Sequence, residues 1–384
     1  MSGRAIYLDY HATTPVDPRV LEAMLPYFTE AFGNPASSTH SFGWKAQQAV
    51  EKARRDVAAL IGVQAREVVF TSGATESNNF AIKGATDRAP EGRRRIVTSA
   101  IEHKSVLEAF ARLGGQGWDV VIVPVDRGGR VRLDAMAEAI TPATALVSVM
   151  AANNEIGVVQ PLAEIGALAS AAGAVFHVDA AQAIGKVPID VTAMHIDLLS
   201  LTGHKFYGPK GCGALFIRKR TALEPLICGG GQERGLRAGT LNVPGIVGVG
   251  QACAICKADM ADENARVSAL RDRLMAGLTA IPDVRVNGTL DHRLPNNLHV
   301  SFLGVDGEQV LMGIGDIAVS SGSACQSSTG KPSHVLSAIY GDEPVPSASM
   351  RFGLGRTTTT DEIDYVVETF TTVVTKLRAM SPGR

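Results

Sequence analysis

Between residues 67 and 217 the chain alternates short apolar, β-branched runs with longer stretches of helical composition. That alternation restricts it to a largely parallel sheet wrapped by helices. The runs fall at residues 67–71, 95–99, 120–125, 145–150, 175–178, 198–201 and 214–217. Several are nearly continuous in Val, Ile and Leu, as expected of parallel strands covered on both faces. Helix-like stretches lie between them, such as residues 162–172, with Gly173 placed as a C-terminal stop. The pattern predicts a doubly wound α/β sheet. Beyond about residue 255 the texture changes. A polar helical stretch near residues 258–280 leads to strand-like runs at 297–302 and 317–321, then to a helix from about Asp361, which suggests a smaller α+β domain. The Gly/Ser-rich segment 320–331 reads as a loop, because small residues favour neither helix nor strand.

At 384 residues the chain is long enough for a large single fold or a two-domain enzyme. Its formal net charge of -1 argues against a nucleic-acid binder held by bulk electrostatics, so a charged ligand must be met by a local site. The N-terminal residues Met1 to Asp9 contain no apolar signal core, and no run of apolar residues is long enough for a membrane span. The five cysteines, Cys212, Cys228, Cys253, Cys256 and Cys325, form no regular framework, which suits a reducing compartment. The expectation is a soluble cytoplasmic protein.

Four segments place small polar residues where candidate strands end, the edge at which open α/β sheets bind ligands. Thr71-Ser72-Gly73-Ala74-Thr75-Glu76 follows a strand and opens a helix. Its free N–H groups and the Thr75 hydroxyl suit a phosphate, and Ser72 or Thr75 suits a plain helix cap equally well. Asp179, in Phe176-His177-Val178-Asp179-Ala180-Ala181-Gln182, reads either as structural or as the carboxylate that keeps a pyridine nitrogen protonated. Lys205, in Thr202-Gly203-His204-Lys205-Phe206-Tyr207, is poorly explained as a solvated surface charge, and its place about 26 positions after Asp179 strengthens a Schiff-base reading. His103 follows the strand-like run 95–99, where it is either structural or a group that stacks on a planar cofactor and moves protons near neutral pH.

With these in place the whole chain resembles the NifS/IscS-type cysteine desulfurases, within the fold-type I pyridoxal-phosphate enzymes. The matching stretches are YLDYHATTPVDPRV, FGNPASSTHSFG, VVFTSGATESNNFAIKG, ANNEIGVVQP, FHVDAAQAIGK, LTGHKFYGPKG, GGGQERGLRAGT, VSSGSACQSS and MRFGLGR, from residue 7 to residue 356. The resemblance implies a large domain, residues 16–255, with a mostly parallel seven-stranded sheet binding pyridoxal 5′-phosphate. Residues 1–15 and 256–384 would form the small domain carrying the loop near 320–331. It implies further that Lys205 holds the cofactor covalently and shuttles protons, that Asp179 pairs with the ring nitrogen, and that Gln182 meets the ring hydroxyl. His103 would stack on the ring. Ala74, Thr75, Thr202, Gly203 and His204 would surround the phosphate, with Thr240 donated by the other subunit of a homodimer. Asn34, Asn154 and Arg351 match positions associated with the carboxylate of the substrate, L-cysteine, Asn154 also bordering the cofactor and Arg351 able to pair bidentately.

Cys325, in Ser323-Ala324-Cys325-Gln326, has a context unlike a packed core, and the resemblance makes it the thiolate that takes the substrate sulfur as a persulfide. The persulfide would pass to an iron–sulfur scaffold or another acceptor protein. No intrinsic metal site is expected, and a transient iron–sulfur ligand role for Cys325 is a weaker implication. Cys253 and Cys256 spell C-x-x-C in an apolar helical stretch without a second pair, so they read as core residues rather than zinc ligands or a redox pair. Cys212 and Cys228 read as packing residues. The end at Ser381-Pro382-Gly383-Arg384 leans toward a NifS-like member, nitrogen fixation being one pathway it could serve, and Gln326 stands where a Thr is common. Related enzymes without need of the Cys325 loop (aminotransferases) and a sulfur-carrier subunit without chemistry are the alternatives, with selenocysteine lyases a third.

Overall fold

The computed structural model describes residues 5–321 and 332–380. Its strands in chain order are β1 (Ile6–Tyr7), β2 (Val68–Thr71), β3 (Arg95–Ser99), β4 (Asp119–Val123), β5 (Thr144–Met150), β6 (Val175–Asp179), β7 (Leu198–Thr202) and β8 (Gly213–Ile217). They continue with β9 (Val284–Val286), β10 (Asn297–Phe302), β11 (Ile317–Ala318), β12 (Ser320–Ser321) and β13 (Ser349–Gly353). The seven-stranded sheet has the order β2-β8-β7-β6-β5-β3-β4. Every neighbouring pair from β7 to β4 is parallel, whereas β8 runs antiparallel to both β7 and β2. Two reversals restore direction, so β2 points the same way as β7, and its carboxyl end meets the same edge.

The apolar runs form this sheet because alternate residues feed two cores. Val68, Phe70, Val97 and Val147 belong to one cluster, while Val69, Ile96 and Leu146 belong to another on the opposite face. β5 is buried throughout, and the edge strand β4 exposes Asp119, as solvent-facing edges commonly do. The sheet is thus the middle of three layers. Helices Ala74–Asp87 and Lys104–Gly114 contribute to one outer layer, and helices Ser41–Ile61, Leu162–Ala171 and the start of Val243–Thr279 to the other. Gly173 stops its helix at φ +66°.

A third core belongs to the antiparallel sheet β12-β13-β10-β9 and helix Thr360–Met380. Phe370 of that helix stacks on Phe302 of β10 at 5.3 Å and meets Phe352 of β13 edge-on at 5.1 Å. β1 pairs with β11 in parallel, so the N-terminal segment joins this region. Helix Val243–Thr279 starts fifteen residues earlier than the polar stretch near 258 had indicated. Its first half is glycine-rich and apolar and buries more than one side, which erases the amphipathic period. Cys253 and Cys256 are buried there, as expected, and Cys212 is buried too. Cys228 is exposed, a correction to its reading as a packing residue, because it lies on the open loop after Leu226 and Ile227.

Candidate active site

The carboxyl ends of β2, β3, β5, β6 and β7 share one edge of the seven-stranded sheet. The connections leaving those strands, including the first turn of helix Ala74–Asp87, carry Ser72 to Thr75, His103, Asn154, Gln182 and Lys205 respectively, while Asp179 and Thr202 are the last residues of their strands. The sequence-predicted candidates of the large sheet therefore converge on one edge.

Asp179 is buried and held on both oxygens. Oδ1 accepts the Ala181 N–H at 2.9 Å, and Oδ2 accepts Asn78 Nδ2 at 2.7 Å. Asn78 itself is buried, and its Oδ1 has no partner among the described residues. Lys205 Nζ donates to the Ala12 carbonyl at 2.7 Å and also to the His11 carbonyl. Burial pushes its ammonium down to about 8, helped by the nearby Arg351 and Lys186 cations and opposed by Asp9 and Asp179. Gln182 does not stand free. Its Nε2 donates to the His11 carbonyl at 2.9 Å, and its Oε1 faces His11 Nδ1 at 3.1 Å. The other His11 nitrogen meets Asn297 Nδ2 at 3.1 Å, and burial holds this ring well below the ordinary histidine pKa.

Helix Ala74–Asp87 begins without a side-chain cap, so neither Ser72 nor Thr75 is the plain N-cap weighed from the sequence. Its N-cap position is Gly73, at φ +147° and ψ -178°, where a Cβ would stand 3.3 Å from Thr202 Oγ1. The Ser72 N–H is taken by Glu76 Oε2 at 2.8 Å, and Arg237 pairs with both Glu76 oxygens at 2.8 and 3.1 Å. What remains is an uncapped helix N-terminus with the exposed Thr75 beside a cradle lined by Gly73 and Thr202, an arrangement that fits an anion. His204 is half-buried against Thr13, with Nδ1 3.2 Å from its hydroxyl, and burial lowers its ring to about 4. Gly203 is buried behind it.

His103 caps helix Lys104–Gly114, its Nδ1 accepting the Ser105 N–H at 3.1 Å. Its pKa is lowered, by burial first, with Asp179 pulling the other way. The ring therefore has the structural task of capping a helix, and it stands near Asp179. Glu102, beside it, is fully buried with its carboxyl pushed up to about 8 by desolvation.

Arg351 reaches the same edge from β13. It donates to the Asn154 carbonyl at 2.8 Å, Ser320 Oγ at 2.9 Å and Asp9 Oδ1 at 2.7 Å, while its buried Nε lacks a partner among the described residues. Asn154 is thus joined to Arg351 through its backbone. Asn34 is exposed and turns back on its own loop, Oδ1 accepting the Ala36 N–H at 2.9 Å. Thr240 is exposed on the loop before Val243. Cys325 lies outside the described residues. Asp9, His11, Asn78 and Asn297 are site residues that sequence reasoning missed. Three lie in quoted family stretches, but only their long-range partners give them a role.

The class-V aminotransferase model matches residues 6–366. The cysteine desulfurase IscS of Anaeromyxobacter sp. (strain K) is 54% identical over 98% of this chain and 94% of that protein. The human cysteine desulfurase is 50% identical over 99% of this chain and 84% of that protein. The chain belongs to the cysteine desulfurases of the class-V aminotransferase family. A solved NifS-like protein superposes with a TM-score of 0.91 at 38% identity, over 97% of this chain and 100% of that one. The fold-type I α/β architecture expected of such desulfurases is therefore the observed one. No helix among the described residues is long and apolar enough to cross a membrane.

Proposed function

We infer that this cysteine desulfurase takes sulfur from L-cysteine with pyridoxal 5′-phosphate held by Lys205, and receives it on Cys325. The observation that carries the cofactor reading is the convergence of an Asn78-held Asp179, a desolvated Lys205 and the uncapped Gly73 turn at one sheet edge. Pyridoxal phosphate, when bound, supplies the electron sink for charge developing at the substrate Cα. Asp179 holds a proton at the ring nitrogen, and His103 covers the ring. Gln182 meets the ring hydroxyl. Ala74, Thr75, Thr202 and His204 bind the phosphate, with Asn154 bordering the cofactor. Lys205, whose lowered pKa of about 8 brings its neutral form within reach near neutral pH, takes the Cα proton. Arg351 and Asn34 orient the substrate carboxylate, the Arg351 Nε being a donor without a partner among the described residues.

Cys325 then attacks the substrate sulfur as a thiolate. The C–S bond breaks, a persulfide forms on Cys325, and the carbon skeleton leaves as L-alanine after protonation. The persulfide sulfur goes to an acceptor protein of iron–sulfur assembly. Thr240 completes the phosphate site of a second copy in a homodimer. Support comes from an exposed apolar set, Leu25, Phe28, Phe32, Phe42 and Trp44, near Asn34 in the chain. The division into residues 16–255 and the remainder, and a cytoplasmic location with reduced cysteines, belong to the same reading.

The test separates the two key residues. Lys205→Ala should lose the covalent cofactor absorbance. Cys325→Ala should keep that absorbance and lose sulfur transfer to acceptors. Normal sulfide release from L-cysteine by purified Cys325→Ala would overturn the persulfide assignment.

A further inference from the structure

The turn after β6 carries a second lysine that the reaction outlined above does not use. Lys186 Nζ donates at 3.1 Å to the main-chain carbonyl of Lys205 and at 3.1 Å to that of Gln182. Both acceptors are neutral, and no carboxylate among the described residues lies within 4.0 Å, the ion-pair distance. Gly185 makes this approach, at φ +73° and with a Cβ position only 2.6 Å from Cys256 Sγ. The half-buried Lys186 lines a narrow crevice with Lys205, Tyr207, Cys256 and Glu263. Burial lowers its ammonium to about 8, with Cys256 and Glu263 pulling the other way, so it remains mostly charged at neutral pH.

A lysine becomes nucleophilic at neutral pH by desolvation or by a neighbouring cation. Lys205 has both. The groups facing it are Asp9 and His11 from the N-terminal segment, His103 after β3, Asp179 at the end of β6, His204 beside it and Arg351 of β13. Arg351 is paired with Asp9, which offsets its field, whereas Lys186 has only neutral acceptors. We propose that Lys186 is a positioning residue for Lys205, placing a second positive charge against its backbone and favouring the neutral, reactive form of its amine. The inference rests on Lys205 being the cofactor-bearing lysine.

The full-length chain, loaded with pyridoxal phosphate, is titrated by visible absorbance, which reads protonation at the Lys205 nitrogen. Lys186→Met and Lys186→Gln should each raise the midpoint by about one unit, leaving about tenfold less neutral form at a given pH. Lys186→Arg should stay near wild type. Gln keeps a donor for the two carbonyls without the charge, so an unchanged midpoint in Lys186→Gln overturns the proposal. Should neither neutral variant fold, amine labelling of the cofactor-free wild-type chain, read by mass spectrometry across pH, replaces them. Lys205 titrating near 8 supports the inference, and titration at the ordinary value of about 10.4 overturns it. A chain that takes up no cofactor overturns the reading of function instead, and the labelling arm still decides this one.

Discussion

The ring-nitrogen role proposed for Asp179 requires its carboxylate to stay aimed, and Asn78 holds it with a 2.7 Å hydrogen bond inside the core. A hydrogen bond to a charged group contributes about 1.5–3 kcal/mol. Asn78→Ala should therefore weaken cofactor affinity roughly tenfold or more, measured by equilibrium binding of pyridoxal phosphate to the full-length chain. Wild-type affinity in that variant would show that Asp179 needs no second partner. The strand-end position and residue type of Asp179, Lys205 and His103 were legible in the sequence. Asn78 was not, because its partner stands 101 positions away. His11 is further still, 286 positions from Asn297, and an isolated histidine near the N-terminus carries no local signal of that contact.

At the scale of elements, the cradle proposed for the cofactor phosphate is made by a strand-to-helix turn and the end of β7. Gly73 sits in a region of φ and ψ that is essentially restricted to glycine. Gly73→Ala should cost about 1–3 kcal/mol of stability and should also crowd Thr202 Oγ1, so cofactor affinity falls with the melting temperature. A variant with unchanged binding would place the phosphate elsewhere. Behind the turn, the loop around residues 229–240 is anchored by a buried bidentate pair. Arg54 Nη1 and Nη2 donate to the two Glu233 oxygens at 2.7 Å each, and Glu233 also accepts the Phe70 N–H of β2 at 2.8 Å. Arg54→Met leaves that carboxylate buried and unpaired, a loss of about 3–5 kcal/mol in urea unfolding. The double variant with Glu233→Gln should recover part of it, and strictly additive losses would refute the coupling.

For the whole molecule, the buried histidines set the response to acid. Burial pushes His177 and His299 down to about 3 and holds His11 well below its ordinary value of 6.5. The folded chain cannot protonate them, whereas the unfolded chain does below pH 6.5, so these groups withdraw stability as pH falls. Glu102 acts in the opposite sense. Its folded pKa of about 8 lies above the ordinary 4.5, so the folded state binds its proton across that window and gains stability as pH falls. The lowered histidines outnumber the one raised carboxyl, so the unfolded state binds more protons near pH 5.5 and stability falls with pH there. Unfolding free energy should therefore drop between pH 7 and pH 5.5, and a flat or rising profile would contradict the assignment of neutral buried rings. By itself the sequence determined the strand–helix alternation and the strand-end residues, since both depend on period and local composition. The antiparallel β8, the early start of helix Val243–Thr279 and the His11, Asn78 and Lys186 contacts were decided by tertiary structure. Each rests on a backbone direction or a distant partner, and burial on several sides removes the periodic signal that would have announced it.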